Sequence, residues 1–332
     1  MQSFKEESAM HLLSFIRFML IAVSVESLSA PLHAQDYPTR AVTIVFPGGA
    51  GTGPERQARL LADKLRDKWG QPFVVESKPG AAANLGQEYV AKSAPDGYTL
   101  LFTGVGTLVL PKMIYSKLNY DPETFVPISL SVSTPLLLLV HPKVPAQNLR
   151  ELIALAKSKP GKLNYGTTGG GTTTHLAGEL FKSMSGIDIA PIQYKSLGPA
   201  LTDLMGEQID MSVADIASAL QLVRAGRVRA LAVTTKNRSS LLPDVPAVGE
   251  VLPGYESSFS FGLVAPQGTP AAIVSRLSVA AAEGIKQPDV AKQLRESGTE
   301  PVGSTAAEMA QILAQETARW SGVVRALNLK AD

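Results

Sequence analysis

"IVFPGGAGTGPERQARLLADKL", residues 44–65, decides how the rest of the chain is read. A β-type apolar run stops in a cluster of glycines, and helical periodicity follows at once. The spacing predicts a helix from about Glu55 to Trp69, with Leu60, Leu61 and Leu65 on one face and Gly70 as its stop. A strand that turns through glycines into a helix start presents backbone N–H groups to an anion. A dinucleotide is poorly served, because the G-x-G-x-x-G pattern begun at Gly49 and Gly51 meets Pro54 where its third small residue belongs, although Glu76 would supply the later acid. A nucleoside triphosphate is served worse. Gly48 and Gly53 have the right gap, but Pro54 and Glu55 stand where a lysine and a hydroxyl residue must be. A smaller anion such as a carboxylate remains, and Pro54 suits a first helical turn, where its missing N–H costs nothing. A tight strand-to-helix turn without a ligand explains this one loop equally well.

Working outward, "PFVVES" (72–77) and "YTLLFTG" (98–104) read as strands, with a helix from about Asn84 to Ser93 between them. The result is βαβαβ, hence a parallel sheet with right-handed crossovers. The plan recurs. "LLLLVHP" (136–142) reads as a buried strand, and residues 146–161 as a helix with a Pro-Gly stop. "NYGTTGGGTTTHLAGELF" (164–181) is again strand, small polar residues and helix, with Thr172 or Thr173 as N-cap. Further strands fall in "IAPIQY", "IDMSVAD", "VRALAVTT" and "FGLVAP", with helices near Leu201 and Leu220 and three more at 270–287, 288–297 and 305–327. Two similar α/β lobes facing each other are the simplest architecture, with ligand beyond the carboxyl ends of the strands.

Composition narrows the chemistry. The 332 residues carry a formal net charge of +2 with no basic block, and aromatics are only 6%, so nucleic acid is not an expected partner. There is no cysteine, which removes thiol nucleophiles and zinc–thiolate sites. After residue 35 the only histidines are His141 and His175, in different segments and without metal-ligand spacing; His175 reads as structural. There is no G-x-S-x-G elbow. Neither a metal, a cofactor nor a catalytic residue is therefore expected. The apolar stretch from Leu12 to Val25 and the small residues up to Ala34 read as an export signal over residues 1–34, cleaved before Gln35, with translation starting at Met1 or Met10.

Several stretches, in order, carry a resemblance: "YPTRAVTIVFPGGAGTGPERQARLLADKL", "PGAAANLGQEYVAKSAPDGYTLLF", "LNYGTTGGGTTTHLAGELFKSMSGIDI", "PALTDLMGEQIDM", "RALAVTTKNRSSLLPDVPAVGE" and "LPGYESSFSFGLVAPQGTP". From Tyr37 to about Leu327 the chain resembles the Bug family, the periplasmic solute-binding proteins of tripartite tricarboxylate transporters. The resemblance implies an α/β, two-lobed periplasmic-binding-protein (Venus flytrap) fold with a mixed, mainly parallel sheet in each lobe. The lobes would be residues 35–135 with 260–332, and residues 136–259. It implies a periplasmic monomer that closes on a small carboxylated solute, a mono- or dicarboxylate with aromatic acids included, and delivers it to membrane permease subunits. Carried over residue by residue, the ligand site would comprise Gly51, Thr52 and Gly53; Asn84; Thr103, Gly104 and Thr107; Thr167, Thr168, Gly169, Gly170, Gly171 and Thr172; Lys195 and Ser196; and Ala214 and Asp215. The chain departs from the family pattern at Gly48, where an aromatic is usual, at Glu55, where an aspartate is usual, and at Ser196, where a glycine is usual. Two other readings stay open at this point: an NAD-dependent oxidoreductase, and a ligand-sensing partner of a signalling protein.

Overall fold

Strand β1 (Val42–Phe46) alternates with β2 (Phe73–Ser77) and β3 (Thr99–Gly104) through helices α1 (Gly53–Trp69) and α2 (Asn84–Ala91), as the βαβαβ pattern requires. The computed structural model describes residues 37–168, 172–327 and 329–330. Contacts divide the chain after Thr39, and residues from Arg40 onward form one compact unit, to which everything below belongs. The expected export signal and Gly169 to Gly171 lie outside the described residues.

Helix α1 buries Ala58, Leu61, Ala62 and Leu65 and leaves Leu60 half-buried. Gly70 ends it in the left-handed region, where a side chain would be strained. Short helices α3 (Val105–Val109) and α4 (Pro111–Ile114), which periodicity over so few residues does not reveal, follow β3. Next comes β4 (Val126–Val140), the spine of the molecule. The second half supplies α5 (Leu149–Ser158), β5 (Leu163–Thr167), α6 (Thr173–Ser185), β6 (Ile189–Gln193), α7 (Leu197–Met205), β7 (Met211–Asp215), α8 (Ile216–Arg224) and β8 (Arg229–Val233). The chain then returns through β9 (Ser258–Ala265) to α9 (Ala271–Lys286), α10 (Pro288–Glu296), β10 (Glu300–Pro301) and α11 (Ala306–Leu327).

Ten strands form one mixed sheet in the order β2-β1-β3-β9-β4-β7-β5-β6, with β8 and β10 also paired to β4. Pairing is parallel within β2-β1-β3 and within β6-β5-β7, and antiparallel wherever β4 and β9 join. Along β4 the partners change between Pro135 and Leu136. Residues 126–135 pair with β9, and residues 136–140 pair with β7 and β8. The all-apolar run Leu136 to Val140 is explained by burial on both faces. Leu136, Leu138 and Val140 enter one core, while Leu137 and Leu139 enter the other.

Gly178 shows how α6 is seated. A Cβ there would come within 2.3 Å of the Tyr165 ring, so only glycine lets the helix lie against β5 at this point. The Tyr165 hydroxyl donates to Glu179 Oε1 at 2.7 Å, and Lys182 pairs with the same buried carboxylate.

Candidate functional site

Four strands are each followed by a helix: β3 runs directly into α3 and β7 into α8, while residues 47–52 separate β1 from α1 and residues 168–172 separate β5 from α6. Each helix start leaves backbone amides without intrahelical partners. These four corners come from the two halves of the sheet, and two cavities join them in pairs. The larger, ≈670 Å³, is lined by Gly53 and Pro54 at the start of α1 and by Asp215, Ala217 and Ser218 at the start of α8. The smaller, ≈250 Å³, is lined by Val105 and Gly106 at the start of α3 and by Thr173 at the start of α6.

The opening loop is braced from within. Gly51 N–H donates to Glu55 Oε2 at 2.8 Å, and Arg59 donates to Glu55 Oε1. That amide bond first, and then the guanidinium, hold the Glu55 carboxyl below its ordinary range. The Gly51 amide is thus engaged in this structure, which leaves Thr52 and Gly53 as the loop's offer to an anion. Thr52 is the N-cap, with its hydroxyl donating to Gly49 O at 2.9 Å rather than capping the helix. Gly48 lies against the Phe46 ring. A Cβ on Gly48 would sit 2.5 Å from the Phe46 ring, so Phe46 fills that space from two residues earlier.

The corner after β3 is a closed turn. Thr103 and Thr107 hydroxyls lie 2.8 Å apart, and Thr107 donates to Gly104 O at 2.8 Å. Gln87, fully buried on α2, donates to Thr107 O at 3.1 Å; its Oε1 has no partner among the described residues. Asn84 starts α2 and accepts from the Tyr120 hydroxyl at 2.7 Å. It lines neither cavity.

The corner after β5 is a cluster of threonine hydroxyls. Thr174 Oγ1 lies 3.0 Å from Thr167 Oγ1, 2.8 Å from Thr168 Oγ1 and 3.2 Å from Thr172 Oγ1. Thr168 N–H donates to Thr174 Oγ1 at 3.2 Å. Of the two candidate caps, Thr172 is the one used: it accepts from His175 N–H. His175 is buried, and burial pushes its pKa down, which suits a structural imidazole better than a proton carrier at neutral pH. Asp215 caps α8, accepting from Ser218 N–H and from Ser218 Oγ, each at 2.8 Å. Ala214 is fully buried beside it. Lys195 and Ser196 are exposed before α7 and line neither cavity.

So the larger cavity brings Gly53 together with Asp215, while Thr107 and Thr172 are chain neighbours of residues lining the smaller one. Sequence reading missed Gln57, Phe259 and Ser218, which also line the larger cavity. Their signal was faint. The "SFSF" alternation at 258–261 puts Phe259 and Phe261 on one face of β9, and they meet edge to face at 4.8 Å. Among the described residues no cluster of His, Asp and Glu has the makings of a metal site, and no helix is long and apolar enough to cross a membrane.

Comparison with known proteins places the chain beside one family. The family model described as "Tripartite tricarboxylate transporter family receptor" matches residues 57–329. Protein BugT of Bordetella pertussis is 34% identical over 317 residues, covering 93% of this chain and 96% of that one. Among solved structures, Rpa4515 of R. palustris with adipate is 36% identical with a TM-score of 0.73, covering 87% of this chain and 97% of that one. MatC from Rhodopseudomonas palustris with bound malate is 32% identical with a TM-score of 0.70, covering 87% and 100%.

Proposed function

The chain belongs to the tripartite tricarboxylate transporter receptor family, and on that premise we propose that it captures a small carboxylated solute in the periplasm. The solute is a mono- or dicarboxylate, aromatic acids included, and is handed to the permease subunits of a tripartite transporter. The protein works by binding alone, as a monomer, with no cofactor and no catalytic residue. Residues 35–135 with 260–332 form one lobe and residues 136–259 the other. They close by flexing where β4 changes partners.

The observation that carries this reading is the ≈670 Å³ cavity with a helix start from each half on its wall, Gly53–Pro54 facing Asp215–Ser218. A carboxylate at a helix start gains ~0.3–1 kcal/mol when exposed and up to ~2 when partly buried. Each charge-assisted hydrogen bond adds ~1.5–3 kcal/mol. A few bonds from each half reach the ~8 kcal/mol of micromolar binding. Lobe closure expels water and strengthens every one of them. In this reading Gly51 to Gly53, Thr103, Gly104 and Thr107 act from the first lobe, and Thr167 to Thr172, Ala214 and Asp215 from the second. Asn84, Lys195 and Ser196 stand further out and contact the solute only on closure. The adipate and malate relatives support a carboxylate.

A thermal-shift screen over mono-, di- and tricarboxylates, run also on refolded protein stripped of co-purified ligand, tests the reading. At least one acid class raises the melting temperature in a concentration-dependent way. Stabilisation by NAD with none by any acid contradicts it.

A further inference from the structure

The larger cavity carries charged side chains from both halves of the sheet, and they do not all cancel. Among the described residues its wall holds Arg56, Arg59, Asp63, Asp215 and Glu296. Three of these have partners: Arg59 pairs with Glu55, Asp63 pairs with Arg66 at 2.6 Å, and Glu296 faces Lys292 at 3.9 Å. Two are left. Among the described residues Arg56 has no carboxylate within ion-pair distance, because Glu55, its chain neighbour, is taken by Arg59. Its Nη1 donates to Gly51 O at 2.8 Å, and a Cβ on Gly53 would lie 3.9 Å from its Nη2, so the guanidinium rests at the start of α1. Asp215 has no cation within ion-pair distance among the described residues; its carboxylate accepts from Ser218 N–H and Oγ. One unmatched positive charge thus stands at the start of α1 and one unmatched negative charge at the start of α8.

A short bridge holds these two helix starts side by side. Gly298 has φ +84°, and a Cβ on it would come within 2.8 Å of Ile216 Cγ2 and 3.3 Å of Ala217 N, so its backbone rests on the first turn of α8. The next residue, Thr299, accepts from Gln57 Nε2 on α1 at 3.1 Å and lies 3.1 Å from Thr134 Oγ1 on β4. Gln57 is the chain neighbour of Arg56, and Ile216 of Asp215. Both charges line the same ≈670 Å³ of space.

Closure over a solute strips water from both groups, and a charge that loses water without gaining a partner is costly. A simple monocarboxylate answers Arg56 and leaves Asp215 bare. A second carboxylate placed near Asp215 adds like-charge repulsion. We propose that the solute answers both charges: it is a zwitterion, a small acid that also bears a protonated amine, as an amino acid does. The acid head stays at the helix starts, where Arg56 adds a cation to the backbone amides, and the ammonium donates to the Asp215 carboxylate. The assignment rests on the carboxylate reading given under Proposed function and narrows it.

Isothermal titration of the full chain with three matched pairs tests this: butyrate and 2-aminobutyrate, glutarate and glutamate, 3-phenylpropanoate and phenylalanine. Within each pair the amine beside the carboxylate is the only difference. In at least one pair the amino acid binds about tenfold or more tightly than its partner acid, the scale of one charge-assisted hydrogen bond. Asp215→Asn keeps an acceptor for the Ser218 N–H. It lowers the affinity of that amino acid about tenfold and, by removing a like charge, raises that of the partner acid. Arg56→Gln lowers both, since both carry the carboxylate. Should the asparagine variant fail to fold by circular dichroism, the wild-type preference decides. An amino acid no tighter than its partner in every pair, or a folded Asp215→Asn that keeps the preference, overturns the assignment and leaves the carboxylate reading standing. Equal weakening of both members by Asp215→Asn does the same, because Arg56 and Asp215 then answer each other. If none of the six binds, the assignment falls, and the acid screen under Proposed function decides the broader reading.

Discussion

Glu55 does two things with one carboxylate: it accepts from the Gly51 amide and it pairs with Arg59. Its pKa is held below the ordinary value, so its contribution to stability is present above the usual carboxylate range and is lost as pH falls through the depressed value. Glu55→Gln should therefore melt at a lower temperature than wild type at pH ~7, with the difference shrinking towards zero below pH ~4. Differential scanning calorimetry at both pH values checks it; a pH-independent gap contradicts the linkage. In the proposed function Thr168 belongs to the binding side. Its Oγ1 lies 2.8 Å from Thr174 Oγ1 and, in the proposed function, turns towards the solute. Thr168→Ala should weaken acid binding by about three- to tenfold with the fold intact, the equivalent of one net hydrogen bond. Unchanged affinity by titration calorimetry takes Thr168 out of the site. Thr168 was named in advance by the family resemblance, whereas the double role of Glu55 was not legible. Glu55 reads as an ordinary first-turn acid because its chief partner is a backbone N–H, and no side-chain pattern encodes a backbone N–H.

At the scale of elements, α6 against β5 offers a test in which two effects have opposite sign. Gly178→Ala raises helix propensity by about 1 kcal/mol. The added methyl also meets the Tyr165 ring at a spacing no side chain tolerates. Packing wins, and the variant should lose about 1–3 kcal/mol, measured by urea unfolding; a gain in stability would mean the ring yields freely. The elements themselves were largely readable where periodicity is strong: α1, α2, α6, α9 and α11 fall within a few residues of the expected ranges. Strand β4 was not. Only residues 136–142 were expected, whereas the strand begins at Val126. Pro127 and Pro135 interrupt the preceding stretch, and Ser129, Ser131 and Ser133 break its apolar run. In the structure both prolines sit in the ladder with β9, with register shifts near Pro127 and near Leu130, and Ser129 and Ser131 are fully buried. The Ser129 hydroxyl satisfies itself by donating to Ser304 O at 2.7 Å, a partner 175 residues away that local sequence cannot announce.

For the whole molecule, the α/β architecture followed from two strand–glycine–helix units and the long matching stretches, while the pairing of helix starts across the two halves needed the sheet order that the structure supplies. Closure over a solute predicts a smaller radius of gyration on saturation with a binding acid, read by small-angle X-ray scattering, and no change with an acid that does not bind. The central claim is narrower: backbone amides from both halves hold one acid head group. An amide-resolved NMR titration with a binding acid tests it most directly. The account predicts that the amides of Thr52 and Gly53 and those of Thr168 and Ile216 shift together and saturate at a single dissociation constant. Shifts confined to one half of the sheet, or saturating at two unrelated constants, would contradict it.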